Sequence, residues 1–564
     1  MTERLARASA RHPWRTIGAW LVAVVLAFGI VGALLGDVLT SDAEVTSPTD
    51  SKRAAELVGE SFRPTQADFE RDVSEVVVVR SVNGKVDHAR VEQLAGDLQA
   101  AGASFVATSA DDDRLVSADG NAEALFVALG QSAEDDVAAV VKAVQRLDAE
   151  PGYEAAITGE FVSDADLETL SQDDLRNGEL FFGAPAALII LLLVFGAVVA
   201  GLIPLVLAIL SIIIALALTA LLGQVFELSI FVQNMIFGMG LALGIDYSLF
   251  ILSRFREERA EGRDKHDAIG TAGATASRAV LFSGIAFVFA MFGLELVPNT
   301  IMRSLATGAI LVGIVSVLAA LTLLPAVISL LGDRINALRI PYFGRVAGAG
   351  SESRFWSRIV SAVMRRPVLS LVVAVALLLG AAIPILSYET GESGISTLPD
   401  RFESKQGFIL LNEEFPGQTT DPVRIAVDGD SDSQTVRTGV ERLQAALGER
   451  PIFGAPTEQT SPGRDLIVLT VPVRGDAVSD EAVSAVRELR SDVIPAAFEG
   501  TGAAAYVGGT TAEEIDYFDV MNRWLPIVFA FVLGLSFILL TVAFRSIVVP
   551  ATAIAMNLLS VGAA

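Results

Sequence analysis

The chain has 564 residues, 52% of them hydrophobic, and its mean hydropathy of +0.54 excludes an ordinary water-soluble globular protein. Lys and Arg number 41 against 66 Asp and Glu, and the resulting formal charge of -25 argues against a nucleic-acid partner. With no cysteine in the sequence, disulfide staples, thiol chemistry and thiolate metal sites are excluded.

Apolar runs near the length needed to cross a bilayer, roughly 20 residues, predict about nine spans. They occupy residues 14–35, 180–199, 203–222, 228–252, 277–296, 304–331, 368–386, 524–544 and 547–564. The first run is long for a signal-peptide core, and no small-x-small cleavage site follows Leu35, so it reads as a span. Basic residues cluster before the first run (Arg4, Arg7, Arg11, Arg15), after the fourth (Arg254, Arg256, Arg259, Arg263, Lys265) and after the sixth (Arg334 through Arg366). The positive-inside rule assigns all three clusters to the cytoplasm.

Two long acidic insertions then fall on the opposite side. The resulting division is a tail and first helix at 1–36, a first extracytoplasmic porter domain at 37–178, helices two to six at 179–332, and a cytoplasmic loop at 333–366. A seventh helix at 367–388, a second porter domain at 389–522 and helices eight and nine at 523–564 complete it.

The first insertion reads as strand 75–80, helix 88–101, strands 104–108 and 122–129, helix 134–148 and strand 153–158. The second reads as strand 423–428, helix 433–447, strands 451–455 and 466–473, helix 481–493 and strand 504–507. That order is the split βαβ, ferredoxin-like (βαββαβ) motif. The predicted fold is therefore an α-helical polytopic membrane protein with two extracytoplasmic α+β ferredoxin-like domains and an internal two-fold repeat.

Local pattern repeats as well. Arg11-His12-Pro13 recurs as Arg365-Arg366-Pro367, and Phe195 with Pro204 recurs as Phe544 with Pro550. Duplicated membrane halves are common in secondary transporters, with the coupling site near the midplane. In this register the counterpart of Asp246 is expected at about position 592, past Ala564, so three spans of the second half are expected to be missing.

Within the fourth run stands Asp246, where a charge at the centre of a spanning helix costs roughly 2.5 to 3.5 kcal/mol. Such a carboxylate reads by default as an ion or proton site. Four-residue steps place Gly238, Ala242 and Asp246 on one face, with Gly244 close by, and small residues at that spacing let a second helix approach. The face is expected to pack on a partner helix, leaving Asp246 desolvated and able to exchange a proton. The hydroxyl of Tyr247 beside it can donate to the carboxylate and pass the proton on. The alternative is a static, hydrogen-bonded polar anchor.

The stretch Gly244-Ile245-Asp246-Tyr247-Ser248-Leu249-Phe250, followed by Ser253-Arg254-Phe255-Arg256-Glu257-Glu258, resembles the fourth-span motif of the MmpL-type (mycobacterial membrane protein large) branch of the resistance-nodulation-division superfamily. Downstream, Arg278-Ala279-Val280-Leu281-Phe282-Ser283 resembles its fifth-span motif. The resemblance implies proton-driven export of lipids or other amphiphiles across the cytoplasmic membrane of a bacterium. It further implies that Asp246 and Tyr247 form a proton relay with Ser283 lining the same site. The proton gradient would supply the energy, with no cofactor and no metal. The implied partners are a hydrophobic substrate, the membrane and proteins of the cell envelope; oligomeric state is left open. In the superfamily pattern the charged segment 255–278 is a cytoplasmic surface helix, and a solvated linker is the other reading.

Other signals are weaker. Asp428, Asp430 and Asp432 imitate the start of a calcium loop, but Ser433 and Gly439 stand where its glycine and glutamate belong. His12, His88 and His266 fall in separate regions and read as surface residues. No Walker A, HExxH or GxSxG motif is present, which leaves neither ATP coupling nor the commonest hydrolases supported. An auxiliary proton-driven motor for protein export, and a receptor or scaffold that does not transport, remain the alternative functions.

Overall fold

A computed structural model describes residues 1–40, 45–62, 74–129, 133–339, 354–384, 395, 398–415, 422–463 and 465–563. The chain separates into two units. One comprises Met1–Glu44, Ser171–Glu389 and Asn522–Ala564, and the other Val45–Leu170 and Thr390–Met521.

Seven helices among the described residues are long and apolar enough to cross a membrane. They are Pro13–Leu34, Glu160–Phe195, Val198–Leu222, Phe231–Ala260, Lys265–Glu295, Thr300–Asn336 and Thr510–Phe544. This makes the chain a multi-pass membrane protein. Two of the nine predicted spans are not among these seven. Ser357–Arg365 and Pro367–Ala382 count as one further span only if a 103° bend is allowed between them. Proline supplies the bend: Pro367 has no N–H to donate and pushes Arg366 out of helical geometry, to φ -139° and ψ 62°. The same device sits at His12, φ -125° and ψ 57°, before Pro13. The last predicted span is the 16-residue helix Val548–Ala563, which continues to the last described residue. Residues 340–353 of the predicted cytoplasmic loop, and 385–386 at the end of the seventh span, lie outside the described residues.

The second unit contains two four-stranded antiparallel sheets. In one, Glu75–Ser81 pairs with both Ala122–Ala128 and Tyr153–Gly159, and Phe105–Ala107 closes the edge against Ala122–Ala128. In the other, Val423–Asp428 pairs with Leu466–Val471 and Ala504–Gly508, and Thr457–Thr460 closes the edge. Numbered along each set of four strands, the spatial order is second, third, first, fourth in both. One expected strand is displaced. Residues 451–455 form a turn with a single bridge from Phe453 to Val473, and the edge strand starts at Thr457. Pro451, which has no N–H for a ladder, and the Phe453 N–H bond back to Arg450 explain the turn.

The central strands explain their own composition. Val77 and Val79 pack with Leu94, Leu98, Val140 and Val144 under one face, whereas Val76 and Val78 pack with Leu410, Leu411 and Phe415 under the other. A strand covered on both faces reads as an unbroken apolar run, as Val76–Val79 does. The second cover is long-range. Helix Glu403–Glu414, which precedes the second sheet in the chain, lies on the first sheet; Gly407 comes so close that a Cβ would stand 2.3 Å from the Ile157 carbonyl carbon. Reciprocally, helix Asp50–Ser61 precedes the first sheet and lies on the second, with Ala54 and Leu57 against Ala426, Leu466 and Val468. Each sheet is thus capped by the other's leading helix.

Polar contacts fix this exchange. Arg490 pairs with Asp50 at 3.1 Å and Asp516 at 2.7 Å, Asp50 accepts from the Val507 N–H, and Asp516 accepts from the Ser51 N–H. Burial pushes the Asp50 carboxyl above its ordinary value, opposed by the Val507 N–H and the Arg490 charge. Arg80 binds Glu413 and Glu414 at 2.9 Å each and Glu154 at 2.5 Å.

Candidate functional site

The helix Phe231–Ala260 runs 30 residues with glycines at 238, 240 and 244, tolerated because neighbouring helices can then approach closely. Gly240 and Gly244 face the helix Val198–Leu222. A Cβ at Gly244 would lie 2.6 Å from the Ala208 Cα, and one at Gly240 would lie 2.4 Å from Ile212 Cγ1. Ser248, one turn further, is fully buried and donates its hydroxyl to the Gly244 carbonyl. The tightly packed face is therefore Gly240, Gly244 and Ser248.

The expected packing face of Gly238, Ala242 and Asp246 is a different one, which meets Glu179 at Gly238 and otherwise opens into a groove. Two residues correspond to about 200° of helix rotation, so those three lie on the opposite side from the glycine seam. Ala242 and Asp246 are exposed and Gly238 is half-buried. Of the three packing residues expected around Asp246, Gly244 seats a helix and Gly238 meets Glu179. The Asp246 side opens into a groove of about 240 Å3, lined also by Glu179, Gly183, Ala187, Ala242 and Ile245.

Tyr247 is brought against the next long helix. It is 4% exposed, and its hydroxyl hydrogen-bonds with Ser283. Gly284, next to Ser283, makes room for Val317 of the following helix: a Cβ there would stand 2.2 Å from Val317 Cγ2 and in ordinary contact, 3.8 Å, with the tyrosine oxygen. Asp246 and Tyr247 are consecutive and diverge by about 100°, so the carboxylate faces the groove and the phenol faces Ser283. A carboxylate exposed to a largely apolar groove that holds a second carboxylate, beside a buried tyrosine hydroxyl whose serine partner is exposed, can accept a proton on one side of the helix and change the field on the other. Among the described residues no group of three or more His, Asp or Glu is placed to hold a metal ion.

The residues after the Asp-Tyr pair pin the helix end. Arg256 donates to the Phe195 carbonyl at 3.0 Å and stands 5.3 Å over that ring. Glu258 is fully buried between Arg254 and Arg263, the latter at 2.6 Å, and Arg259 reaches Asp333 at 2.6 Å. Beyond Gly262, helix Lys265–Ala274 buries Ala268, Ile269 and Ala272 and packs on helix Thr2–Arg11, where Gly273 meets Ala6. The charged segment is thus a docked helix rather than a solvated linker.

Sequence reasoning missed Glu179, which stands at the edge of the second apolar run and looks there like an ordinary flanking charge. Its signal was the neighbouring glycine pair, Gly178 and Gly183, at the start of a span.

Curated relatives cover much of the chain. It is 35% identical over 387 residues to the mycolic acid-containing lipids exporter MmpL11 of Mycolicibacterium smegmatis, a match spanning 67% of this chain and 40% of that protein. It is 32% identical over 575 residues to the membrane protein SCO6666 of Streptomyces coelicolor, covering 100% of this chain and 76% of that protein. It is 26% identical over 610 residues to the trehalose monomycolate exporter MmpL3 of Mycobacterium tuberculosis, covering 98% of this chain and 62% of that protein. The chain thus spans well under two thirds of the MmpL11 length. The family model described as the MMPL family matches residues 46–370 and 396–564, and by that match this chain belongs to the MMPL family.

Proposed function

We propose that this chain takes part in proton-motive-force-driven export of lipids or other amphiphiles from the bacterial cytoplasmic membrane, with Asp246, Tyr247 and Ser283 as the proton relay. The observation that carries this reading is an ionisable Asp246, on an apolar helix and open to a groove, adjacent in sequence to a buried Tyr247 bonded to Ser283. Intramembrane carboxylates are expensive and are retained where they work. One proton moving down about 100 mV supplies about 2.3 kcal/mol, enough to bias a two-state movement of helices.

The two sheets are read as extracytoplasmic ferredoxin-like porter domains produced by duplication. Their identical strand order and reciprocal helix exchange support this. The lipid cargo named for two relatives, mycolic acid-containing lipids and trehalose monomycolate, supports a long-chain amphiphile as substrate.

The test is transfer of a fluorescent-tailed glycolipid in proteoliposomes carrying an imposed pH gradient. Loss of gradient-dependent transfer in Asp246→Asn, at unchanged protein level, is expected. Wild-type transfer by that variant would sink the proposal.

A further inference from the structure

The membrane unit holds a second carboxylate that this relay does not use. Glu179 lies in the π-helical stretch Leu175–Gly183 and lines the same groove as Asp246. Its two oxygens rest beside glycines on two helices. A Cβ at Gly238 would stand 3.3 Å from Oε1, and a Cβ at Gly183 would stand 3.3 Å from Oε2. The half-buried Gly238 thus leaves space for a carboxylate. A π-bulge turns a side chain out of ordinary helical spacing and is frequent at functional positions. Among the described residues Glu179 has no ion pair. The nearby Arg176 is directed elsewhere, 5.7 Å over the Phe181 ring.

We propose that Glu179 is a second protonatable residue of the transport cycle, passing protons between the water outside and Asp246 through the groove they share. The inference rests on the proton-coupled reading of Asp246 and adds to it a path. Gly238 and Asp246 are eight residues apart on one helix, about 12 Å of rise. That is too far for direct transfer and within reach of a short chain of waters. The step moves a proton only: the Glu179 carboxyl releases it to water, and water delivers it to the Asp246 carboxylate. Glu179 stands at the end of its helix where the sequence places the extracytoplasmic side, so protons would reach it first.

Accessibility tests the path without needing transport. Because the sequence has no cysteine, Glu179→Cys, Ala242→Cys and Leu193→Cys each carry a single thiol in the full chain. A membrane-impermeant cationic methanethiosulfonate added outside intact cells is expected to label positions 179 and 242 and to spare 193, on the apolar surface. Labelling of neither groove position would mean a dry groove and would overturn the proposal.

Proton flux in proteoliposomes, followed with a trapped pH dye, tests the role. Glu179→Gln is expected to slow flux by about a hundredfold and to shift its dependence on external pH, with Glu179→Asp restoring both. Wild-type flux and profile in Glu179→Gln, together with loss in Asp246→Asn, would overturn the role of Glu179 and leave the Asp246 reading intact. Wild-type flux in Asp246→Asn would remove the reading beneath both. Loss in Glu179→Gln that Glu179→Asp fails to restore, with a lowered melting temperature, would assign Glu179 to structure and overturn the proposal.

Discussion

Tyr247 and Ser283 hydrogen-bond between two neighbouring membrane helices, with Gly284 beside them making room for Val317. Tyr247→Phe keeps the packing and removes only the hydroxyl. Proton flux is expected to fall by about a hundredfold if the phenol transfers protons, whereas the lost bond costs about 1 kcal/mol of stability. Parallel flux and thermal-melt measurements check this, since a purely structural hydroxyl would lower the melt and spare the flux.

Gly244 and Gly238 lie on opposite sides of one helix and are expected to respond differently to the same substitution. At Gly244 a methyl meets backbone of Ala208 at 2.6 Å, and at Gly238 it meets only the end of a flexible Glu179 side chain at 3.3 Å. Gly244→Ala is expected to destabilise the membrane unit by about 1 to 3 kcal/mol, with Gly238→Ala near neutral. Melting curves in detergent distinguish the two, and equal melts would contradict the packing described.

Glu75 gives the second unit a pH dependence. It is fully buried, Oε1 accepts from the Phe161 N–H at 2.8 Å, and burial pushes the carboxyl from 4.5 up to about 8. The folded unit therefore keeps a proton that the unfolded chain releases. The stability gained this way is fully present below about pH 4.5 and is lost as pH rises through about 8. The melting temperature should fall between pH 5 and 9 in the wild type, and Glu75→Gln should flatten that slope.

Arg490 is the cation at the helix exchange, with its side chain 15% exposed and that of Asp516 11% exposed. Arg490→Leu leaves the buried Asp516 and the partly exposed Asp50 carboxylates facing one another without a counter-charge. Breaking a fully buried pair from one side costs about 3 to 5 kcal/mol, and solvent at the partly exposed Asp50 reduces that cost here. The expected result is a large drop in thermal stability, partly recovered by adding Asp516→Leu. No recovery would mean that the bonds from Arg490 to the Val507 and Ala512 carbonyls matter more than the charge.

Much of the architecture could be read in advance because it obeys one-dimensional periods. Apolar runs locate Pro13–Leu34 and Val198–Leu222, and the Val76–Val79 run locates a doubly covered strand. The seat of the Asp246 helix could not. Four-residue steps of small residues run through Gly238 and Ala242 on one side and through Gly240, Gly244 and Ser248 on the other. Only the positions of Ala208 and Ile212 decide between them. Glu179 was hidden for a related reason, since a groove is made by two helices and belongs to neither sequence alone. The helix exchange was invisible because an apolar helix face such as Ala54 and Leu57 announces that it must be covered without saying by which sheet.

That exchange sets a timetable for biogenesis. The Val507 N–H that Asp50 accepts from emerges 457 residues later, and Ser51 waits for Asp516 across 465 residues. At ribosomal speed this is a delay of roughly 20 to 90 seconds. Throughout it the leading helix has no sheet of its own to rest on, and the first sheet keeps one apolar face bare until residues 403–414 are made. A nascent chain with two such open surfaces is a client for a chaperone on the side of the membrane where it waits.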